Sequence, residues 1–223
     1  LRVAVGRDSR LSGPQLALWL MEAMAAEGLQ VTDLGMASTP AMFMSTVTEG
    51  FAFDASVMIT ASHLPFNRNG YKFFTKDGGL EKQDIAAILA LAGGSEHTGL
   101  PAGSIVTGSF MDTYAAQLRK KVQDAAGCEQ PLAGMRIVVD AGNGAGGFYA
   151  NDVLKPLGAD ITGSQFLEPD GRFPNHIPNP ENEEAMASVC AATVKAGADL
   201  GVIFDTDVDR GGAVDSRGDC LLY

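Results

Sequence analysis

Apolar residues along the chain follow two patterns: short β-branched or aromatic runs, and longer stretches in which apolar positions recur every three or four residues. The first pattern is typical of buried strands and the second of amphipathic helices. In the first half they predict strands at 2–5, 29–34, 55–60 and 71–75, and helices at 12–27, 40–49, 81–92 and 110–126. Residues 93–108 are rich in Gly, Ser and Pro, lack a period and are predicted to form a surface loop.

The alternation restarts after residues 129–131, which we take as a domain boundary. The second half has predicted strands at 135–140, 159–162 and 200–204, helices at 148–157 and 181–196, and a hairpin formed by 211–215 and 220–223. Strands that alternate with helices indicate βαβ units. The sequence therefore predicts an α/β fold of two successive three-layer domains, 1–130 and 131–223, with mixed, mainly parallel sheets.

Acidic residues outnumber basic ones by 27 to 16, which gives a formal charge of -11. Nucleic acids and anionic membranes are bound by clustered Lys and Arg, so this balance argues against both as partners. The most apolar helical stretch, 16–26, contains Glu22 and is too short to span a bilayer. The three cysteines are widely spaced and fit neither a disulfide framework nor a zinc motif, which favours a reducing compartment.

A hydroxyl group follows the predicted strand 55–60, where Ser62 stands beside His63 in a loop closed by Pro65. Such a loop can expose a nucleophile and hold it still, although a Ser-His pair alone is weak evidence. Lys72 lies in the next aromatic strand, where its ammonium group would face the same cleft. A solvated lysine on an edge strand is the alternative.

Three carboxylates alternate at the end of the strand 200–204, at Asp205, Asp207 and Asp209. Crowded carboxylates repel one another unless a cation or a basic group lies between them. Hard oxygen ligands favour Mg²⁺ or a similar ion. An EF-hand loop is excluded, because Arg210 and Ser216 stand where that motif needs Gly and Glu. A charged turn without a metal remains open.

A glycine-rich run at 140–147 follows a predicted strand and precedes a predicted helix, as a dinucleotide-binding loop would. However, the next strand ends at Thr162 without the acidic residue that would bind a ribose. A tight turn into the helix is therefore the favoured interpretation.

With these motifs in this order along the sequence, the chain resembles the α-D-phosphohexomutase family of phosphoglucomutases, phosphomannomutases and phosphoglucosamine mutases. Six motifs carry the resemblance along essentially the whole chain: Val5–Arg10, Thr60–His63, Asn69–Lys72, Asp140–Gly144, Asp170–Asn175 and Asp205–Arg210. Many members have Asn at position 64 and Gly or small residues at 206 and 208, where this chain has Leu64, Thr206 and Val208. These departures leave the choice of sugar open.

The resemblance implies a mutase that interconverts hexose 1-phosphate and hexose 6-phosphate. Ser62 would be its phosphoserine, passing a phosphoryl group to the sugar and taking one back from a bisphosphate intermediate. One Mg²⁺ would be held by Asp205, Asp207, Asp209 and an oxygen on Ser62. A sugar of the glucose 1,6-bisphosphate type would be the activator.

The resemblance also implies roles for four basic residues. Lys72, helped by His63, would shuttle protons, and Arg210 would stabilise charge on the phosphoryl group. Arg7 would bind the same phosphate.

Members of the family have four domains, and this chain matches the first two. The domains that would bind the sugar and its phosphate are expected elsewhere, as missing C-terminal domains or a complementing chain. A non-catalytic binding or assembly module and a Mg²⁺-dependent sugar-phosphate phosphatase are the alternative functions. We expect a cytoplasmic protein, or a plastid stromal one if an upstream segment is a transit peptide.

Overall fold

The first half of the chain forms a six-stranded sheet with helices against it. The computed structural model describes residues 1–94 and 99–222. Its elements in this half are β1 (Arg2–Arg7), α1 (Gly13–Ala26), β2 (Gln30–Met36), α2 (Thr39–Val47), β3 (Ala55–Ile59), β4 (Tyr71–Thr75), β5 (Gly78–Gly79), α3 (Lys82–Ala92), β6 (Ser104–Thr107) and α4 (Met111–Ala126). These bounds confirm the predicted strands and helices to within a few residues.

The strand order of the first sheet is β5-β4-β3-β1-β2-β6. β1 pairs in parallel with both β2 and β3, whereas β4 and β5 are antiparallel additions at one edge. Val5, Val31 and Ile59 from the three central strands are fully buried beneath α1. The sheet is therefore mixed and mainly parallel, as predicted, and β1 and β3 end at the same edge.

The predicted surface loop at 93–108 is wrong in part, because Ser104–Thr107 forms β6. This strand pairs in parallel with β2 at the sheet edge, with Ile105 opposite Val31. All four of its residues are exposed, and its short β-branched run lies within a segment rich in Gly, Ser and Pro. His97, which has no predicted role, lies outside the described residues.

The second half contains a smaller sheet with the order β10-β9-β8-β7. Its elements are β7 (Ile137–Asp140), α5 (Glu183–Ala196), β8 (Leu200–Phe204), β9 (Gly211–Asp215) and β10 (Cys220–Leu222), with a 3₁₀ turn at Ala145–Gly147 and a π-helical turn at Tyr149–Leu154. β7 and β8 are parallel, and β8, β9 and β10 are antiparallel neighbours. The predicted hairpin is confirmed as far as Leu222, while Tyr223 lies outside the described residues.

Two predicted elements of the second half differ in the structure. The strand expected at 159–162 is reduced to one bridge between Arg136 and Asp160. The Asp160 carboxylate accepts the backbone N–H of Thr162, and Gly163 has a φ of +99°, so the chain turns away before a ladder can form. The α-helix expected at 148–157 is a single π turn, in which aromatic rings from positions 148 and 149 pack against Tyr114 and Phe204.

Helix α4 connects the two halves. Its Ala115 lies in one buried apolar cluster with Val153 and Leu157 from the second half. Because this helix precedes residue 130, the packing joins the predicted domains across their boundary, and the boundary at 129–131 stays a prediction. Within the described residues, no helix has the length and apolar character needed to cross a membrane.

A buried polar network stabilises the end of β7. The His176 Nε2 atom lies 3.0 Å from Asp140 Oδ1, and both side chains are almost fully buried. Asp140 also accepts hydrogen bonds from Gln165 and Ser188. Burial alone would lower the pKa of His176, but the Asp140 carboxylate, with smaller help from Glu184, holds it above its usual 6.5.

The His176–Asp140 pair should stabilise the fold more in acid than in base. A histidine with a raised pKa in the folded state contributes its stability below pH 6.5 and loses it as pH rises through the folded-state value. The loss of unfolding free energy in His176→Gln should therefore be larger near about pH 5.5 than near about pH 9. Urea unfolding of both proteins at each pH measures this difference, and a difference independent of pH would contradict it.

Candidate active site

The serine loop begins where the central strand β3 ends. β3 is an apolar run whose last residue, Ile59, is fully buried, so the chain leaves the sheet at its carboxyl edge. Ser62 follows as a half-buried residue with a φ of +52°, a left-handed conformation uncommon for a residue with a Cβ atom. Such strain persists only where neighbouring groups hold the backbone in place.

The carboxylate loop begins where the central strand β8 of the second sheet ends. Asp205 and Asp207 are completely buried, whereas Asp209 is exposed. Val208, between Asp207 and Asp209, has a φ of +66°, a strained value for a β-branched residue. One ligand oxygen from each carboxylate lies within 4.8 Å of the others.

The two loops meet across the two halves of the chain. The Ser62 hydroxyl donates a hydrogen bond of 3.0 Å to Asp205 Oδ2. Arg210 Nη2 donates to Ser62 Oγ at 2.7 Å and to Asp205 Oδ2 at 2.9 Å. A hydroxyl, a carboxylate and a guanidinium group thus form one contact set, although Ser62 and Asp205 are 143 residues apart.

Lys72 reaches the same cluster from β4. Its ammonium group lies 2.7 Å from both Asp207 Oδ2 and Asp209 Oδ2. The predicted orientation of Lys72 toward the cleft is therefore observed, and its alternative as a solvated edge lysine is wrong. Burial alone would lower the pKa of Lys72, but the two carboxylates outweigh it and raise that pKa.

The three carboxylates differ in their charge environments. Burial raises the pKa of Asp205 to about 7, and the neighbouring charges of Asp207 and Asp209 add to this increase. Burial also acts to raise the pKa of Asp207, but the Lys72 ammonium and the hydrogen bonds from Thr39 and Asp205 together outweigh it, so that this pKa falls below its usual value. The cluster needs positive charge, and protein groups supply only part of it.

The donor set fits a hard divalent cation. All three side chains offer carboxylate oxygens, which are the ligands that Mg²⁺ prefers. Asp207 Oδ1 is buried and has no hydrogen-bond partner within the described part of the chain. A buried carboxylate oxygen without a partner is costly, and a bound cation would supply that partner. Asp207 Oδ1 is therefore available as a metal ligand.

His63 and Arg7 differ in how closely they join the cluster. Arg210 Nη2 lies 2.6 Å from His63 Nδ1, and because a guanidinium group only donates, Nδ1 accepts and the ring carries its proton on Nε2. Arg7 ends β1 at the same edge of the sheet. No hydrogen bond or ion pair joins its guanidinium group to the other described residues, so its predicted phosphate-binding role stays a prediction.

Two threonines support the site, of which Thr39 was not singled out from the sequence and Thr60 entered only as part of the Thr60–His63 motif. Thr39, at the start of α2, donates its hydroxyl to Asp207 Oδ2 at 2.5 Å and its backbone N–H to the Asp207 carbonyl at 2.8 Å. Thr60 accepts the backbone N–H of Ser62 and donates to Asp8. The signal for Thr60 was its place in that motif directly after β3, whereas Thr39 had only its position after β2.

The glycine-rich run packs against the carboxylate loop. A Cβ atom on Gly144 would lie 2.7 Å from the Thr206 carbonyl oxygen, and the backbone N–H of Ala145 donates to that carbonyl at 2.8 Å. Gly144 is therefore needed for this close backbone approach. This packing explains the glycine without a dinucleotide and agrees with the favoured interpretation of a tight turn.

Comparison with known proteins identifies the family of the chain. Residues 1–96 match the family model of phosphoglucomutase/phosphomannomutase α/β/α domain I, and residues 112–218 match that of α/β/α domain II. The chain belongs to the phosphoglucomutase/phosphomannomutase family. The family assignment from sequence is thereby confirmed, with the first two domains matched.

Individual relatives agree with this family. A phosphomannomutase/phosphoglucomutase of Pseudomonas syringae pv. tomato is 36% identical over 98% of this chain and 45% of its own length. A phosphoglucomutase of Neisseria gonorrhoeae is 34% identical over 99% of this chain and 46% of its own length. The crystal structure of a phosphoglucomutase/phosphomannomutase family protein from Burkholderia thailandensis superposes with a TM-score of 0.82 at 29% identity, covering 98% of this chain and 47% of that one. The chain thus spans slightly under half the length of these relatives.

Proposed function

We propose that the chain carries the phosphoryl-transfer site of a phosphohexomutase that interconverts hexose 1-phosphate and hexose 6-phosphate. The hydrogen bond of 3.0 Å between the Ser62 hydroxyl of the first half and the Asp205 carboxylate of the second carries this proposal. It supports the proposal because it joins a nucleophile to a cluster of metal-type ligands. The family match and the names of the relatives agree with this reaction.

Ser62 acts as the group that stores the phosphoryl. A bisphosphorylated sugar of the glucose 1,6-bisphosphate type loads it: Ser62 Oγ forms a bond to phosphorus, the ester bond to the sugar breaks, and the sugar oxygen takes the proton. The reverse transfer then places the phosphoryl on the other hydroxyl of a hexose phosphate. Splitting the exchange into two covalent transfers lets one serine serve both.

The carboxylate loop supplies the negative ligands of the site. Asp205, Asp207, Asp209 and an oxygen on Ser62 would hold one Mg²⁺, which when bound neutralises charge on the phosphoryl group. Thr39 holds Asp207 by two hydrogen bonds, so the ligand loop is attached to the domain that carries the serine. The two halves are in this way held in one geometry.

Basic side chains complete the site. Arg210, which donates to Ser62 Oγ at 2.7 Å, stabilises negative charge at the transferring oxygen. Lys72, helped by His63, moves the proton between the serine and sugar oxygens. Arg7 faces the phosphate from the end of β1.

The proposal is tested by mass spectrometry of the chain after incubation with glucose 1,6-bisphosphate and Mg²⁺. We expect a gain of one phosphoryl group, localised to Ser62 by peptide mapping and abolished by chelation of the metal. A chain that gains no phosphoryl would contradict the proposal and would favour a non-catalytic binding module. A phosphoserine that is rapidly lost to water, with release of inorganic phosphate, would favour a phosphatase.

A further inference from the structure

Arg10 lies next to the serine loop, and every N–H of its guanidinium group donates a hydrogen bond. The Arg10 side chain is completely buried, at 0% exposure. Nε donates to Asp8 Oδ2 at 3.2 Å, Nη1 donates to the carbonyls of Pro65 and Arg68, and Nη2 donates to those of Ser62 and Leu64, with these four distances between 2.5 and 3.1 Å. A guanidinium group has five N–H donors in a fixed fork, and each has an acceptor here.

All four carbonyls belong to the serine loop, and one of them is that of Ser62 itself. The other end of the same residue is also held, because the Ser62 N–H donates to Thr60 Oγ1 at 2.8 Å and Thr60 donates to Asp8 Oδ2 at 2.7 Å. The ring closes through Arg10, whose Nε contacts the same Asp8 oxygen. Ser62 has the strained φ of +52°, and these contacts hold its backbone in that conformation.

Asp8 supplies the charge that allows Arg10 to be buried. Its carboxylate accepts both the backbone N–H and Nε of Arg10, and its own side chain is completely buried. Burial raises the pKa of Asp8 to about 6, against the opposing hydrogen bonds from Arg10 and Thr60. The carboxylate is therefore mainly ionised at neutral pH, and a buried pair of this kind is costly to break by removing one partner.

The second half of the chain covers this arginine. The Phe173 ring centroid lies 5.3 Å from Arg10 Cζ, within the range of a cation–π contact. A Cβ atom on Gly171 would lie 2.3 Å from the Ser9 carbonyl, so the loop needs glycine to approach this closely. These contacts exclude water from the guanidinium group and strengthen its hydrogen bonds.

From this geometry we propose that Arg10 is a positioning residue for phosphoryl transfer, which fixes the backbone of Ser62 so that its Oγ meets Asp205 and Arg210. The proposal rests on the proposed function of Ser62. Arg10 contacts the nucleophile's own peptide group. In the described part of the chain, no hydrogen bond or ion pair joins its guanidinium group to the carboxylates of the ligand loop. Arg10 acts on the geometry of the serine and not on that of the three carboxylates.

The test compares Arg10→Lys with Arg68→Lys in the full chain. Lysine keeps the charge but has three donors on a flexible stem and cannot bind four carbonyls and a carboxylate. Arg68 is exposed on the same loop, and its carbonyl, not its side chain, contacts Arg10. The matched lysine variant therefore leaves the four hydrogen bonds intact.

With glucose 1,6-bisphosphate as the donor, we expect Arg10→Lys to lower the maximal rate of Ser62 phosphorylation about 100-fold, as displacements near 1 Å do. The donor concentration for half-maximal rate should stay within about twofold. The Mg²⁺ affinity should fall much less than the rate, because the substitution displaces only the Ser62 ligand and leaves the three carboxylates in place. Arg68→Lys should match the wild type. An unchanged maximal rate, or a loss matched by equally weakened Mg²⁺ binding, would overturn the positioning role.

Hydrogen exchange separates this inference from the proposed function and from unfolding. In Arg10→Lys the amides of 61–70 should exchange at least about tenfold faster while those of the second sheet remain protected. Exchange unchanged in the loop would overturn the inference, as would faster exchange spread evenly over the chain. If wild-type Ser62 takes up no phosphoryl group, the proposed function fails, while the exchange measurement still decides whether Arg10 fixes the loop.

Discussion

Ser62→Ala should abolish incorporation of the phosphoryl group from glucose 1,6-bisphosphate. The substitution removes the oxygen that forms the bond to phosphorus, and among the described residues no other hydroxyl forms hydrogen bonds with both Asp205 and Arg210. The fold should be kept, since Ser62 is held by its backbone N–H and carbonyl, which alanine retains. Intact-mass spectrometry after incubation with the donor and Mg²⁺ measures the incorporation.

The matched control is Ser216→Ala, which removes a hydroxyl from the exposed turn between β9 and β10. It should take up one phosphoryl group as the wild type does. Phosphorylation that persists in Ser62→Ala would show that another residue is the acceptor. That result would contradict the assignment of the serine loop as the nucleophile.

Asp207→Asn should weaken Mg²⁺ binding and slow phosphorylation of Ser62 together. Asp207 is completely buried and has one oxygen without a partner among the described residues, so it is the carboxylate best prepared to bind a cation. Mutation of a residue that only hydrogen-bonds to a metal ligand lowers metal affinity by about 10–100-fold. Asp207 is proposed as a ligand itself, so we expect its Mg²⁺ affinity loss at the upper end, about 100-fold. Titration calorimetry with MgCl₂ and a time course of phosphorylation measure the two effects.

Asp219→Asn serves as the control, since this carboxylate is 67% exposed and lies in the turn before β10. The substitution makes the same change of net charge without touching the cluster, so Mg²⁺ affinity should stay within about twofold. Unaltered Mg²⁺ affinity in Asp207→Asn would refute its role as a ligand. A drop of equal size in both variants would indicate only a nonspecific charge effect.

The strand ends were the most predictable part of the site. β3 and β8 are mainly apolar runs. Asp205 follows β8 directly, and Ser62 stands three residues after the end of β3. Parallel strands present such loops at one edge of their sheet, so sequence order alone predicts two half-sites. That the half-sites meet came only from the family resemblance, because nothing local to either loop encodes the packing between the halves.

Residues that work through tertiary contacts were not predicted. The hydroxyl of Thr39 matters because α2 begins against Asp207, a residue 168 positions away. Arg10 stands in the Val5–Arg10 motif, but its role follows only from the fold, which brings four carbonyls of the serine loop around it. Such roles depend on where backbone groups lie in space, which periodicity does not describe.

The failure to predict strand β6 has a different cause. β6 contains a β-branched run of only three residues, Ile105, Val106 and Thr107, inside a segment rich in Gly, Ser and Pro, and that composition favoured a loop. The segment 159–162 shows the opposite error, since apolar and polar residues alternate in it but the chain turns at Gly163 after a single bridge. In both cases the hydrogen-bonding partner, and not the local residue pattern, decides whether a strand forms.

The central claim is that Ser62 and the carboxylate loop form one phosphoserine–magnesium site. It is tested most directly by titrating Mg²⁺ into the unphosphorylated chain and into the chain phosphorylated at Ser62, separated by anion exchange. The added oxygens and negative charge lie beside the carboxylates, so we predict that phosphorylation tightens Mg²⁺ binding at least about tenfold and that Asp207→Asn removes this gain. Equal Mg²⁺ affinity in the two forms would contradict the claim.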